Sequence, residues 1–272
     1  MLRSMKDLEG YAIGATDGPI GQVSDFYFDD DRWVIRYLVV DTGTWLSGRL
    51  VLISPISVKQ PDWAHALLPV TLTRAQVKSS PDIDTRKPVS RQHESAYLGY
   101  YGYPVYWGGA GLWGESLYPY ATTTGDAGQG AERNEREQEV QSSAERARHR
   151  LDDPHLRSCK AVVGYHIHAT DGEIGHVDEL LVDEQTWAIR YMVVNTSNWW
   201  IGHKVLVAPQ WITGVHWTDE TVQVGLTRAA IQGAPPYDST VALNRQREAG
   251  LYAHHGRNGY WSASADVSQP PR

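Results

Sequence analysis

Ala15-Thr16-Asp17-Gly18-Pro19-Ile20-Gly21-Gln22-Val23 is followed by Trp33-Val34-Ile35-Arg36-Tyr37-Leu38-Val39-Val40. The pattern returns as Ala169-Thr170-Asp171-Gly172-Glu173-Ile174-Gly175-His176-Val177, followed by Trp187-Ala188-Ile189-Arg190-Tyr191-Met192-Val193-Val194. Matched positions lie 154 residues apart, without insertion or deletion, from Leu2/Leu156 through Trp45/Trp199 and Pro55/Pro209 to Trp107/Trp261. An ungapped repeat of this length marks a tandem duplication. It divides the chain into a first copy (1–107), an aromatic arm with a charged connector (108–155), a second copy (156–261) and a tail (262–272). The polar composition of that tail predicts disorder.

Within the first copy the pattern is that of short strands. Tyr11 to Ala15 alternates, Asp17-Gly18 supplies a tight turn, and Ile20 to Phe28 follows as a strand. Trp33 to Val40 is apolar on both faces apart from Arg36, which predicts a strand covered on both sides. Arg49 to Ile53 and Leu67 to Leu72 complete the strand set. A brief helix with Thr73 as N-cap and a second helix over 90–100 follow, mirrored after Thr227 and over Asn244 to Tyr252. Gly102, Tyr106 and Trp107 recur as Gly256, Tyr260 and Trp261, so this aromatic tail is expected to pack on its own module.

The totals narrow the function. The chain has 272 residues, with 25 basic and 32 acidic side chains. Residues 1–109 carry 11 basic against 12 acidic groups, 110–155 carry 5 against 9, and 156–272 carry 9 against 11. No segment is basic, which argues against nucleic acid as a partner. The single cysteine, Cys159, excludes an internal disulfide and matches Met5, so a buried inert thiol is expected. The N-terminal residues lack the apolar core of a signal peptide, and no run reaches the roughly 18 apolar residues of a membrane span. A cytoplasmic location is therefore expected, with any contact on the cytoplasmic side of the inner membrane peripheral.

The paired Thr-Asp-Gly turn, Ile-Gly-x-Val and Trp-x-Ile-Arg-Tyr-x-Val-Val motifs resemble the PRC-barrel family, over residues 2–80 and again over 156–234. That family includes the cytoplasmic domain of the photosynthetic reaction centre H subunit and the C-terminal domain of a ribosome maturation factor. The resemblance implies a mainly β fold: two tandem small antiparallel barrels with short helices, working by docking to other proteins. The matching motifs belong to the fold, so they assign no functional residue.

A catalytic site common to both copies would be duplicated with them. The shared polar residues are Arg3/Arg157, Asp17/Asp171, Arg36/Arg190, Arg74/Arg228, Arg91/Arg245 and Glu94/Glu248. No His, Ser–His or Cys–His arrangement is among them, so no triad is expected and the chain reads as no enzyme, with no cofactor. Asp17 and Asp171 read as turn residues bonding locally; Arg36 and Arg190 read as satisfying a buried carboxylate or carbonyl. His166 and His168 share a strand face, a spacing that suits a metal, but ordinary exposed strand histidines fit it as well. The favoured reading assigns no metal ligand. Asp29-Asp30-Asp31 lacks EF-hand spacing and reads as a solvated turn.

The segment without a counterpart is Gly108 to Tyr120, rich in Gly and aromatics. Trp113, Tyr118 and Tyr120, with Tyr103 just before them, are the candidate partner-binding residues, because Trp and Tyr dominate interface hot spots. The alternatives are a strap crossing onto the second barrel and a contact with a membrane surface. The sequence thus points to a non-catalytic docking or scaffold subunit on the cytoplasmic face of a larger membrane complex. A photosynthetic reaction centre type complex is the first candidate. A soluble stress-related or general adaptor, or a small-ligand or metal-binding barrel, is the alternative.

Overall fold

The computed structural model describes residues 1–81, 89, 91–107, 109–119, 155–196 and 203–262. The charged connector, Tyr120, Trp199 and the tail from 263 onward lie outside the described residues. In chain order the strands are β1 (Leu2–Ser4), β2 (Ala12–Ala15), β3 (Gly18–Asp29), β4 (Val34–Asp41), β5 (Leu50–Ile53) and β6 (Leu67–Pro69). The second copy adds β7 (Leu156–Ser158), β8 (His166–Ala169), β9 (Gly172–Asp183), β10 (Ile189–Asn195), β11 (Lys204–Val207), β12 (Ile212–His216) and β13 (Thr221–Val224). The fold is mainly β, in two sheets with a few short helices. No helix among the described residues is long and apolar enough to cross a membrane.

One compact unit comprises Asp7–Lys160 with Glu184–Ala188. Its sheet runs β5-β4-β3-β2-β6, with β7 added to β3; β2 and β6 pair in parallel and the other pairs are antiparallel. Residues 34–40 of β4 are all buried, as two apolar faces require. The strand starts at Val34 rather than at Trp33, because Trp33 is held at φ +56° and donates its N–H to the Asp29 carbonyl at 2.9 Å. A left-handed residue cannot extend the ladder. The last expected strand also ends early, at Pro69, where the chain changes partner and Val70 bridges to Val58.

The motif glycine has a steric cause. β3 folds so tightly against the end of β4 that a Cβ on Gly21 would lie 2.0 Å from the Asp41 carbonyl oxygen. A Cβ on Gly175 would lie the same 2.0 Å from the carbonyl oxygen of Asn195. Only a residue without a side chain fits there.

The other unit comprises Met1–Lys6, Ala161–Asp183 and Ile189–Arg272. Its sheet runs β11-β10-β9-β8-β13-β12, with β1 added to β9. The compact units therefore do not follow the copies. Each sheet is completed by the first strand of the other repeat: Leu2–Ser4 pairs with Leu181–Asp183, and Leu156–Ser158 pairs with Tyr27–Asp29. The repeat boundaries give no sign of this exchange, because the two strands read identically as Leu-Arg-Ser.

The helices fall where their caps predict. Thr73 caps Arg74–Lys78, and a reciprocal bond with Gln76 forms a capping box; Thr227 caps Arg228–Gln232, and Asn244 caps Arg245–His254. Asp17 and Asp171 do more than bond locally. Asp17 Oδ1 accepts from the Arg74 backbone N–H at 2.7 Å, and Asp171 Oδ1 from that of Arg228, also at 2.7 Å. Each tight turn is thereby tied to the start of a helix 57 residues further on.

Candidate functional site

Of the polar residues shared by both copies, Glu94/Glu248 and Arg36/Arg190 assemble with duplicated tyrosines into a repeated cluster. In the first, Tyr37 Oη donates to Glu94 Oε1 at 3.2 Å and Tyr106 Oη donates to the same oxygen. The other carboxylate oxygen lies 2.5 Å from His155 Nε2. In the second, Tyr191 and Tyr260 donate to Glu248 Oε1 at 3.0 and 2.8 Å, and Arg245 Nη1 lies 3.1 Å from Oε2. The carboxylates come from the helices Arg91–Tyr101 and Arg245–His254, and the strand tyrosines from β4 and β10. Each glutamate therefore ties a helix, a strand and the aromatic tail together.

Burial defines the chemistry of these groups. Glu94 and Glu248 are buried, and Tyr37 is buried with them. Burial, with the Glu94 carboxylate next in effect, pushes the Tyr37 hydroxyl well above the ordinary tyrosine range. Burial followed by Glu248 does the same to Tyr191 and Tyr260. These phenols stay protonated and act as hydrogen-bond donors. Carboxylates whose oxygens are already engaged suit fixing the tail onto the sheet rather than activating a substrate.

Arg36 sits at the centre of the first cluster and finds both expected partners. Its Nε donates to Asp29 Oδ2 at 2.6 Å and its Nη1 to the Leu112 carbonyl at 2.7 Å. Its guanidinium carbon lies 3.8 Å from the Tyr106 ring centroid and 4.7 Å from that of Trp113. In the second copy Arg190 stacks on Tyr260 at 4.0 Å, while Arg245 covers the Trp261 ring at 4.3 Å.

The aromatic segment is bound to the unit that holds the first copy. Arg32 donates from Nη2 to the Gly109 carbonyl at 2.6 Å and from Nη1 to the Gly111 carbonyl. Trp113 is only 6% exposed, and its Nε1 donates to the Thr186 carbonyl at 2.8 Å. Thr186 comes from the second copy in sequence but belongs to the same compact unit as Trp113. Beyond this anchor, Leu117 and Tyr118 are 43% and 39% exposed. Tyr103 is half-buried and stacks on Tyr101 with centroids 5.4 Å apart and ring planes 13° apart. Of the four aromatic candidates, Trp113 thus packs inward, Tyr118 faces solvent, Tyr103 lies between, and Tyr120 lies outside the described residues.

The histidines of the second copy are spread over several elements, with His166 and His168 on β8, His176 on β9 and His216 on β12. His166 is exposed, pairs with His176 in register, and places Nδ1 2.9 Å from Glu173 Oε1. Among the described residues no group of three His, Cys, Asp or Glu side chains could hold a metal ion. Cys159 is 4% exposed, and burial pushes its thiol well above the usual cysteine range. Sequence reasoning noticed Glu94/Glu248 but missed the cluster. The available signal was that Tyr37/Tyr191 and Tyr106/Tyr260 are duplicated alongside them.

A twice-built β module with a buried carboxylate–tyrosine cluster and an Ile-Gly-x-Val strand segment packed closely on its neighbour is what the geometry defines. Residues 3–64 match the family model of the PRC-barrel domain, in line with the resemblance of the paired motifs. The second copy repeats the motif residues at a constant spacing. No curated protein matches the chain significantly. PRC-barrel domains are small β modules, often used for protein interaction and generally non-catalytic.

Proposed function

We propose that this chain is a non-catalytic docking subunit that joins proteins of a larger assembly on the cytoplasmic face of a membrane. A photosynthetic reaction centre type complex is the first candidate host. The observation that carries this reading is the strap. Trp113 anchors it to the first PRC-barrel unit, while Leu117 and Tyr118 remain exposed directly beyond the anchor. Exposed aromatic and aliphatic side chains on a fixed strap suit the centre of an interface, because little conformational freedom is lost on binding. Tyr118 is the principal contact in this reading, Tyr103 and, outside the described residues, Tyr120 are further candidates, and Trp113 holds the strap in place. The resemblance to the H subunit directs the choice of host.

The test is to separate gently solubilised native membranes on a density gradient and identify what travels with the chain. Comigration with a pigmented membrane complex, lost in Tyr118→Ala but with an unchanged melting temperature, supports the proposal. Recovery of the chain only in the soluble fraction, as a free monomer or dimer, overturns it in favour of an adaptor without a membrane complex.

A further inference from the structure

The reciprocal strands point to a docking site. Leu2-Arg3-Ser4-Met5-Lys6 and Leu156-Arg157-Ser158-Cys159-Lys160 differ only at the fourth position. Their receiving edges are matched too. Ser158 Oγ donates to Asp25 Oδ2 at 2.5 Å, and Ser4 Oγ donates to Glu179 Oε2; Asp25 and Glu179 are counterparts in the repeat. Lys160 lies 3.1 Å from Glu9 and Arg157 bonds Asp30 at 2.8 Å, while Lys6 lies 3.4 Å from Asp178. Leu156, Cys159 and Met5 are 3%, 4% and 4% exposed, so an apolar anchor accompanies the polar ones. Each receiving edge thus offers backbone groups, a carboxylate for the serine, further carboxylate for the basic residues and an apolar site.

We propose that the edge of β9 at Leu181–Asp183 is a strand-docking site for a Leu-Arg-Ser-apolar-Lys segment, and that a second copy of this chain can supply that segment. The chain closes the site with its own Leu2–Ser4, and nothing in the contacts depends on the strand coming from the same molecule. Strand addition of this kind draws affinity from main-chain bonds and specificity from alternate side chains. Exchange of identical elements between chains is a low-cost route to a dimer, with the intramolecular strand favoured at low concentration by its higher effective concentration.

The test uses the full-length chain carrying Leu2→Asp and Ser4→Ala, which weakens its own strand, with labelled peptides of residues 1–7 and 155–161 as probes. Both peptides are expected to bind this variant saturably, compete with each other, raise its melting temperature, and bind it at least about tenfold more tightly than they bind the unaltered chain. In parallel, the unaltered chain refolded at rising concentration is expected to yield a growing dimer fraction by light scattering, and the variant a smaller one. A folded variant that binds neither peptide overturns the proposal. So does an unfolded variant that neither peptide restores, or an unaltered chain that refolds as monomer at every concentration.

Discussion

Tyr37 donates to Glu94 at 3.2 Å, and Tyr191 donates to Glu248 at 3.0 Å, across the same separation of 57 residues. The second module keeps this bond although its surroundings differ. Glu94 has the partly buried His155 beside it, its side chain 11% exposed, whereas Glu248 has Arg245, whose side chain is 54% exposed. The bond joins the central strand to the helix that starts the aromatic tail, so the tail and the sheet are fastened at one carboxylate.

Glu94→Gln is therefore expected to destabilise its unit by about 2–3 kcal/mol, as leaving buried hydrogen-bonding groups without a matched partner does. Glu248→Gln should cost less, about 1–2 kcal/mol, because Arg245 can turn to water. Urea unfolding of the two variants checks the order. Equal losses would show that the His155 contact adds nothing.

Gly21→Ala and Gly175→Ala place a methyl group 2.0 Å from a backbone carbonyl oxygen, so the strand must move. Each is expected to cost about 1–3 kcal/mol or more. The Gly175 change should be the worse, since that residue also sits at φ +138°, where a side chain is strained. Denaturant midpoints measure this, and an unchanged midpoint for either variant would contradict the close approach.

Asp17→Ala removes the acceptor for the Arg74 N–H and should cost about 1 kcal/mol, as loss of a helix cap does. Asp17→Asn keeps an acceptor at the same place and should cost only a few tenths. The parallel pair at Asp171 should behave alike. Thermal melts of all four variants decide whether the turn serves the helix or only itself.

His255 gives the second copy an acid sensitivity. Burial, then the neighbouring His254 and Arg257, push its pKa from 6.5 down to about 4. A base depressed on folding contributes stability above its unfolded pKa, and that contribution is lost as pH falls through the folded value. The melting temperature should therefore drop between about pH 6.5 and about pH 4. His255→Tyr, which installs the residue found at the matching Tyr101, should remove this component of the decline. Superimposable pH profiles for the two proteins would exclude His255 as the cause.

The sequence by itself determined the modules. The repeat, the alternating strands, Thr73 as a cap, the doubly buried β4 and the PRC-barrel resemblance over residues 3–64 all follow from local pattern, where spacing dictates which side chains share a face. It also supplied the right partners for Arg36, a carboxylate and a carbonyl, without naming Asp29 or Leu112. The tertiary structure alone decided which strand completes which sheet. Leu2–Ser4 and Leu156–Ser158 carry the same letters, and the energy of pairing them depends on edges brought together over more than a hundred residues. The same holds for the inward turn of Trp113: a tryptophan in a glycine-rich segment reads alike whether it meets a partner or, as here, the Arg36 guanidinium and the Thr186 carbonyl. Periodicity records which face of an element is apolar, and only the folded chain selects what that face is buried against.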